Sequence, residues 1–154
     1  MLNKSLRQKK IDYLVDKFPS ITDAKIEARY RLPDFVWEYL DSATGSEMSK
    51  MADRGSFDRV QLRPDVLCGD FEISMRRTFL DHTYSLPFGI GPVGMSGLIQ
   101  PRAELWLGEA AAEYGIPYTL PTLATIAIED LPNTPSKSKW FQLYFPKDPV
   151  ILQD

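Results

Sequence analysis

The first part of the chain arranges its hydrophobic and polar positions as short amphipathic helices do. Apolar residues recur at helical spacing through residues 22–40, with a break at Pro33. This pattern predicts one helix capped by Thr22 or Asp23 and a second helix that begins at Pro33. A third helix is predicted over residues 47–57. We therefore expect a group of helices ahead of the first strand.

The second part alternates short strands with helices. Imperfect alternation over residues 72–84 predicts a small β-hairpin. The elements predicted after it are strand 87–91, helix 103–114 with a left-handed cap at Gly115, strand 116–120, helix 126–131, strand 139–145 and a helix from Asp148. This order predicts an α/β fold with parallel strands, as a closed barrel or an open sheet. Because a (β/α)8 barrel needs eight such units and about 250 residues, we expect an incomplete chain.

The stretch Leu86–Leu98, with the sequence LPFGIGPVGMSGL, holds the first of these strands and the turn after it. Pro92 ends the strand, and the residues that follow are small, so another molecule can approach the backbone closely. Turns between a strand and the next helix are where α/β proteins keep their binding sites. A tight turn without any ligand fits the same pattern, and the residues alone leave both interpretations open.

Composition and charge restrict the partners and the location that we expect. The chain has 18 Lys and Arg against 21 Asp and Glu, a net charge of −3, which predicts no nucleic-acid partner. No apolar run reaches the roughly 18 residues of a membrane span, and residues 1–21 form a basic lead-in without the apolar core of a secretory signal. Cys68 is the only cysteine, which suits a packed thiol in a reducing cytoplasm. We therefore expect a cytoplasmic protein whose main domain covers residues 22–154.

Few residues offer catalytic or metal-binding chemistry. His82 is the only histidine, and its position in the predicted hairpin favours a surface residue over a catalytic base. No HxxxH or CxxC spacing occurs, so the sequence predicts no metal site. The glycines at 89, 91, 94 and 97 do not match the dinucleotide-binding fingerprint, and a Walker-type phosphate loop is absent from the sequence.

Three polar side chains stand out from apolar surroundings. Gln142 and Tyr144 lie two residues apart in the predicted third strand, so they would share one face, and a buried glutamine offers hydrogen-bonding groups to the edge of a planar ligand. A polar pair satisfied by backbone and water fits the pattern equally well. Tyr39, on an otherwise apolar helix face, is typical of a core residue.

Several sequence blocks together resemble one enzyme family. In chain order they are LPDFVWEYLDSATGSE, FDRVQLRP, LPFGIGPVGMSGL, the helix that carries Glu104, GIPYTLPTLATIAIEDL and WFQLYFPKD. They resemble successive blocks of the FMN-dependent α-hydroxy-acid oxidases and dehydrogenases, over at least residues 32–150. The most specific part is WFQLY at the right separation from the preceding turns.

The resemblance implies a fold, a cofactor and a set of site residues. The fold is the N-terminal portion of a (β/α)8 barrel, with strands one to three preceded by helices and a small hairpin. The implied cofactor is FMN, and the implied reaction oxidises a small L-2-hydroxy acid to the 2-oxo acid. Tyr39 and Tyr144 match tyrosines that bind the substrate. Four residues match positions that bind the flavin: Pro92, Val93, Gly94 and Gln142.

The chain lacks the family's catalytic base and departs from the family pattern at three places, one of which is Ala43-Thr44, where relatives carry a glycine-alanine pair after the tyrosine helix. Pro121 stands where relatives carry a serine that contacts the flavin, and Leu123 stands where they carry an aromatic residue of the substrate pocket. The resemblance places the base and the substrate-binding arginines beyond Asp154, so we expect no catalytic residue within the chain. We expect a homo-oligomer at full length. The alternative is an inactive relic or an interaction module built on the same half-barrel.

Overall fold

The chain forms two compact units. A computed structural model describes residues 4–67, 69–70, 72–132 and 139–147. The first unit is Met1–Pro64 and the second is Asp65–Asp154. The domain division that we expected after residue 21 stays a prediction.

The first unit is helical: the three helices predicted between residues 22 and 57 are present, and a further helix lies within the stretch predicted as a lead-in, residues 1–21. Its helices are α1 (Lys4–Lys17), α2 (Ile21–Arg31), α3 (Asp34–Asp41) and α4 (Met48–Phe57). The predicted break at Pro33 is confirmed. The predicted cap at Thr22 or Asp23 is wrong, because Ser20 caps α2. The Ser20 hydroxyl accepts a hydrogen bond from the Asp23 backbone N–H at 3.2 Å, and the Asp23 carboxylate accepts one from the Ser20 N–H at 3.1 Å.

Ion pairs and one aromatic ring connect α2 with α3. Lys25 pairs with Asp41, and the Arg29 guanidinium contacts the Asp34 carboxylate at 2.8 Å. Both cations lie 5.7 Å from the centre of the Trp37 ring. These contacts join two short helices that share little buried apolar surface.

The second unit begins with the predicted hairpin. Strands β1 (Arg77–Phe79) and β2 (His82–Tyr84) are antiparallel, and Phe79 pairs with His82 across a two-residue turn. The turn residues Leu80 and Asp81 have φ angles of 46° and 61°. Two successive positive φ angles give a turn whose twist matches that of the strands. The hairpin prediction is confirmed.

The remaining elements form a parallel α/β arrangement. They are α5 (Ser96–Ile99), α6 (Ala103–Tyr114), β3 (Tyr118–Leu120), a 3₁₀ turn (Ile128–Asp130) and β4 (Lys139–Phe141), with β3 and β4 parallel. The predicted helix 103–114 and its left-handed cap are confirmed, with Gly115 at φ 63°. The predicted helix 126–131 is wrong beyond this single 3₁₀ turn. Pro132 follows Leu131 and disfavours helical backbone there.

The predicted first and third strands are shorter than expected. Over residues 87–91 only Ile90 bridges to Tyr118, in parallel orientation. Pro87 begins this segment and Pro92 follows it directly. Because neither has an N–H to donate to a ladder, the pairing is restricted to the residues between them. The third strand ends at Phe141 instead of residue 145.

The core of the second unit lies between α6 and the parallel strands. It consists of Ala111, Ile116, Tyr118, Leu120 and Leu131, each at most 5% exposed. Helix α6 packs closely against Leu131, which follows the 3₁₀ turn, at Gly108. A Cβ at position 108 would lie only 3.0 Å from Leu131 Cδ2, so the close approach depends on glycine. Within residues 72–132 and 139–147 the strands form two two-stranded sheets and no closed barrel.

Two predictions fall on residues outside the described ranges, namely the packed thiol of Cys68 and the helix from Asp148. In the part of the chain that the structure describes, no helix is both long and apolar enough to cross a membrane.

Candidate functional site at the strand ends

Three segments follow the carboxyl ends of the parallel strands: residues 92–95 after Ile90, 121–125 after β3 and 142–144 after β4. The first is tied to the second by a hydrogen bond from the Met95 N–H to the Leu123 carbonyl at 2.7 Å. The second is tied to the third through the Thr122 hydroxyl, which contacts the backbone of Gln142 and Tyr144. All the candidate residues of the second unit therefore lie along one edge of the parallel strands.

The first segment combines open backbone with tightly packed glycines. Pro92 and Val93 are exposed, and a Cβ at Gly91 would meet no atom within 4 Å. At Gly97, by contrast, a Cβ would lie 2.2 Å from the Thr125 hydroxyl oxygen. The small residues of this stretch thus serve two purposes: Gly97 lets the chain pack on itself, while the backbone around Gly91 is open to a ligand.

The buried carboxylate of Glu104 holds the second segment against α6. Glu104 is 0% exposed, and its Oε1 accepts hydrogen bonds from the Thr125 N–H at 3.0 Å and the Thr125 hydroxyl at 2.8 Å. Burial raises the pKa of this carboxyl, but hydrogen bonds from its own backbone N–H and from Thr125 outweigh burial, so the pKa lies below its ordinary value of 4.5. In the sequence, Glu104 stands out only as part of the family resemblance. The signal that could have found its role is an acidic residue in the first turn of the helix between Ala103, Leu105 and Trp106, which are apolar.

Gln142 and Tyr144 both lie beyond the end of β4. The Gln142 side chain is half-buried, and its amide makes no hydrogen bond to any residue that the structure describes. Tyr144 is 57% exposed. Because β4 ends at Phe141, strand periodicity does not extend to these residues, and the predicted shared face is not carried by a regular strand.

The other residues singled out from the sequence lie in different surroundings. Tyr39 lies on α3 of the first unit and is 48% exposed, so it is not the core residue that the pattern alone predicted. Pro121 is fully buried, whereas Leu123 is 49% exposed. His82 lies in β2, half-buried, with its ring centre 6.5 Å from that of Tyr84.

One cavity of the second unit meets the candidate site at Gly91, beside Pro92. Its volume is about 460 Å³, and the hairpin, residues 86–91 and Trp140 are among its lining. None of the residues predicted to bind flavin or substrate lines this cavity. Among the described residues there is no group of three His, Cys, Asp or Glu side chains that could hold a metal ion.

Comparison with known proteins gives a consistent set of relatives. The family model described as FMN-dependent dehydrogenase matches residues 28–154. The chain is 35% identical over 135 residues to an L-lactate dehydrogenase of Xanthobacter autotrophicus, covering 88% of this chain and 35% of the relative. The chain therefore spans about a third of the length of that relative.

Solved structures give the same result. A soluble mutant of the membrane-associated (S)-mandelate dehydrogenase from Pseudomonas putida is 33% identical, with a TM-score of 0.69 over 80% of this chain and 35% of that one. A mandelate oxidase mutant with the C4a-OH-FMN adduct is 29% identical, with a TM-score of 0.72 over 82% of this chain and 38% of that one. Since the family model matches most of the chain, the chain belongs to the FMN-dependent dehydrogenase family.

Proposed function

We propose that this chain forms the first three strand-helix units of a (β/α)8 barrel that oxidises small L-2-hydroxy acids with FMN. The observation that carries the proposal is the alignment of three strand-end segments along one edge, within a chain of the FMN-dependent dehydrogenase family. In α/β proteins this edge is where ligands bind.

The residues along this edge fit a flat ligand with a polar rim. The backbone at Gly91 and Pro92 is open, and a planar ring could lie along it. The half-buried Gln142 amide has two donors and an acceptor that no described residue uses, which suits the polar edge of a flavin. We infer that Pro92, Val93 and Gly94 lie along the ring and that Gln142 bonds its edge.

The redox chemistry in this scheme belongs to FMN, and the protein supplies binding and orientation. We propose that Tyr144 and Tyr39 hydrogen-bond the hydroxy acid. For Tyr39 the support is the family resemblance alone. The catalytic base and the substrate-binding arginines would come from later barrel units. A homo-oligomer and, from the lone cysteine, a cytoplasmic location complete the proposal.

The first experiment tests flavin binding. FMN is titrated into the purified protein and into the Gln142→Leu variant, and quenching of flavin fluorescence gives the dissociation constant. We expect the variant to bind FMN several-fold more weakly, since one or two hydrogen bonds of about 0.5–1.5 kcal/mol each are lost. The matched control is Gln100→Leu, which replaces an exposed glutamine at the end of α5.

The second experiment tests the reaction. The protein is co-expressed with the part of the Xanthobacter autotrophicus L-lactate dehydrogenase that follows its matched segment, and anaerobic bleaching of the flavin by L-lactate is recorded. We expect bleaching by the pair, none by the 154-residue chain alone, and slower bleaching with Tyr144→Phe. Absence of FMN binding by both the chain and the pair would favour the alternative of an inactive interaction module.

A further inference from the structure

We propose that Thr122 is a positioning residue whose hydroxyl replaces the backbone ladder beyond β3 and holds Gln142 and Tyr144 at the strand-end edge. This inference rests on the proposed function for its ligand. It concerns a residue to which neither the pattern of the sequence nor the family resemblance gave a role.

The regular pairing of β3 with β4 ends at Leu120 and Phe141. The last backbone bond of the ladder runs from the Gln142 N–H to the Leu120 carbonyl at 2.9 Å. In a parallel ladder the next two bonds would join the N–H of residue 122 to the Gln142 carbonyl and the Tyr144 N–H to the carbonyl of residue 122. The side chain of Thr122 makes both connections instead.

The two contacts use the Thr122 hydroxyl once as a donor and once as an acceptor. The Thr122 hydroxyl donates its proton to the Gln142 carbonyl and accepts a hydrogen bond from the Tyr144 N–H at 3.0 Å. A hydroxyl has one proton and two lone pairs, so it can donate and accept at once. One side chain thus stands in for both the donor and the acceptor of a backbone peptide.

The consequence is a fixed backbone on both sides of Gln142. Its N–H is held by Leu120 and its carbonyl by Thr122, and the amide of Tyr144 is held by the same hydroxyl. The Gln142 side-chain amide is left with no partner among the described residues. Thr122 therefore fixes the backbone from which the Gln142 and Tyr144 side chains project, and it leaves the Gln142 amide and the Tyr144 phenol available to a ligand.

Hydrogen exchange tests this arrangement directly. The Tyr144 amide is followed in the wild-type protein and in Thr122→Val, which removes the hydroxyl and keeps the shape, and Thr122→Ser, which keeps the hydroxyl. The control is Thr119→Val on β3, whose hydroxyl makes no hydrogen bond within the described residues. We expect exchange about tenfold faster in Thr122→Val, from the loss of the bond to Tyr144 and of its companion to Gln142. Thr122→Ser and Thr119→Val should exchange at the wild-type rate.

Flavin binding tests the positioning role. FMN should bind several-fold more weakly to Thr122→Val than to the wild type, and Thr122→Ser should restore the affinity. Because Thr122 acts through Gln142, adding Thr122→Val to Gln142→Leu should weaken binding by less than it does alone. If Thr122→Val caused a general loss of structure, it would weaken FMN binding by the same factor in the Gln142→Leu background as in the wild type.

The results that overturn the inference are distinct from those that overturn the proposed function. The role of the hydroxyl is refuted if the Tyr144 amide of Thr122→Val exchanges at the wild-type rate. It is also refuted if Thr119→Val accelerates that exchange as much as Thr122→Val does. Unchanged FMN affinity in Thr122→Val, or full additivity with Gln142→Leu, refutes the positioning. If neither the chain alone nor the co-expressed pair binds FMN, the proposed function fails, and the exchange rates of the Tyr144 amide still decide whether Thr122 holds the strand end.

Discussion

Replacement of Glu104 tests whether its buried carboxylate holds the second strand-end segment on α6. Glu104→Leu leaves the Thr125 N–H and hydroxyl without their acceptor. Hydrogen bonds to a charged group contribute about 1.5–3 kcal/mol each. The variant also avoids the cost of burying a charge away from water, and this offsets part of the loss. We expect the free energy of unfolding to fall by about 2–4 kcal/mol.

Urea denaturation at pH 7 measures this change. All variants are compared at one protein concentration, because the apparent stability of an oligomer depends on concentration. The matched control is Glu109→Leu on the same helix, where the carboxylate is exposed. That variant should change the free energy by no more than about 0.5 kcal/mol. A loss below about 1 kcal/mol for Glu104→Leu, or an equal loss for the control, would refute the buried brace.

The pH dependence follows from the lowered pKa of Glu104. A carboxyl whose folded pKa lies below its unfolded value adds stability that is complete above the unfolded pKa and is lost as the pH falls through the folded one. The difference in unfolding free energy between wild type and Glu104→Gln should therefore be constant above about pH 4.5. It should shrink at lower pH, since a protonated glutamate resembles glutamine. A difference that stays the same into acid would contradict an ionised Glu104.

Three further outcomes are expected. Gly97→Ala should lower stability by about 1–3 kcal/mol, because its Cβ would lie 2.2 Å from the Thr125 hydroxyl; Gly91→Ala, with nothing within 4 Å, is the control in thermal denaturation. Ser20→Ala should lower the helicity of the first unit and reduce the free energy of unfolding by about 0.5–2 kcal/mol, measured by circular dichroism during denaturation. Ser49→Ala, inside α4, should leave both unchanged. The purified chain should self-associate in light scattering through apolar side chains such as Phe145, which is 79% exposed; a stable monomer would contradict this.

Local features of the sequence predicted the elements whose cause is local. The helix 103–114 and its left-handed cap follow from helix-forming residues and one glycine. The hairpin and the break at Pro33 follow in the same way from alternation and from the chemistry of proline. The resemblance to the family, confirmed over residues 28–154, rests on blocks that the sequence itself displays.

The hydrogen bonds that join the strand ends could not be predicted from the sequence. The extent of a strand depends on the backbone groups that its neighbour offers. The ladder therefore ends at Phe141 and is reduced to a single bridge at Ile90, where short apolar runs predicted longer strands. The partners of Glu104 and Thr122 lie 21 and 20–22 residues away along the chain, beyond the reach of any local pattern. Helix 103–114, the hairpin and the break at Pro33 could be predicted from the sequence, because each depends on residues that are close together in the chain. The contacts along the candidate site depend on which distant backbone groups meet a buried polar side chain, and that is settled only when the chain packs.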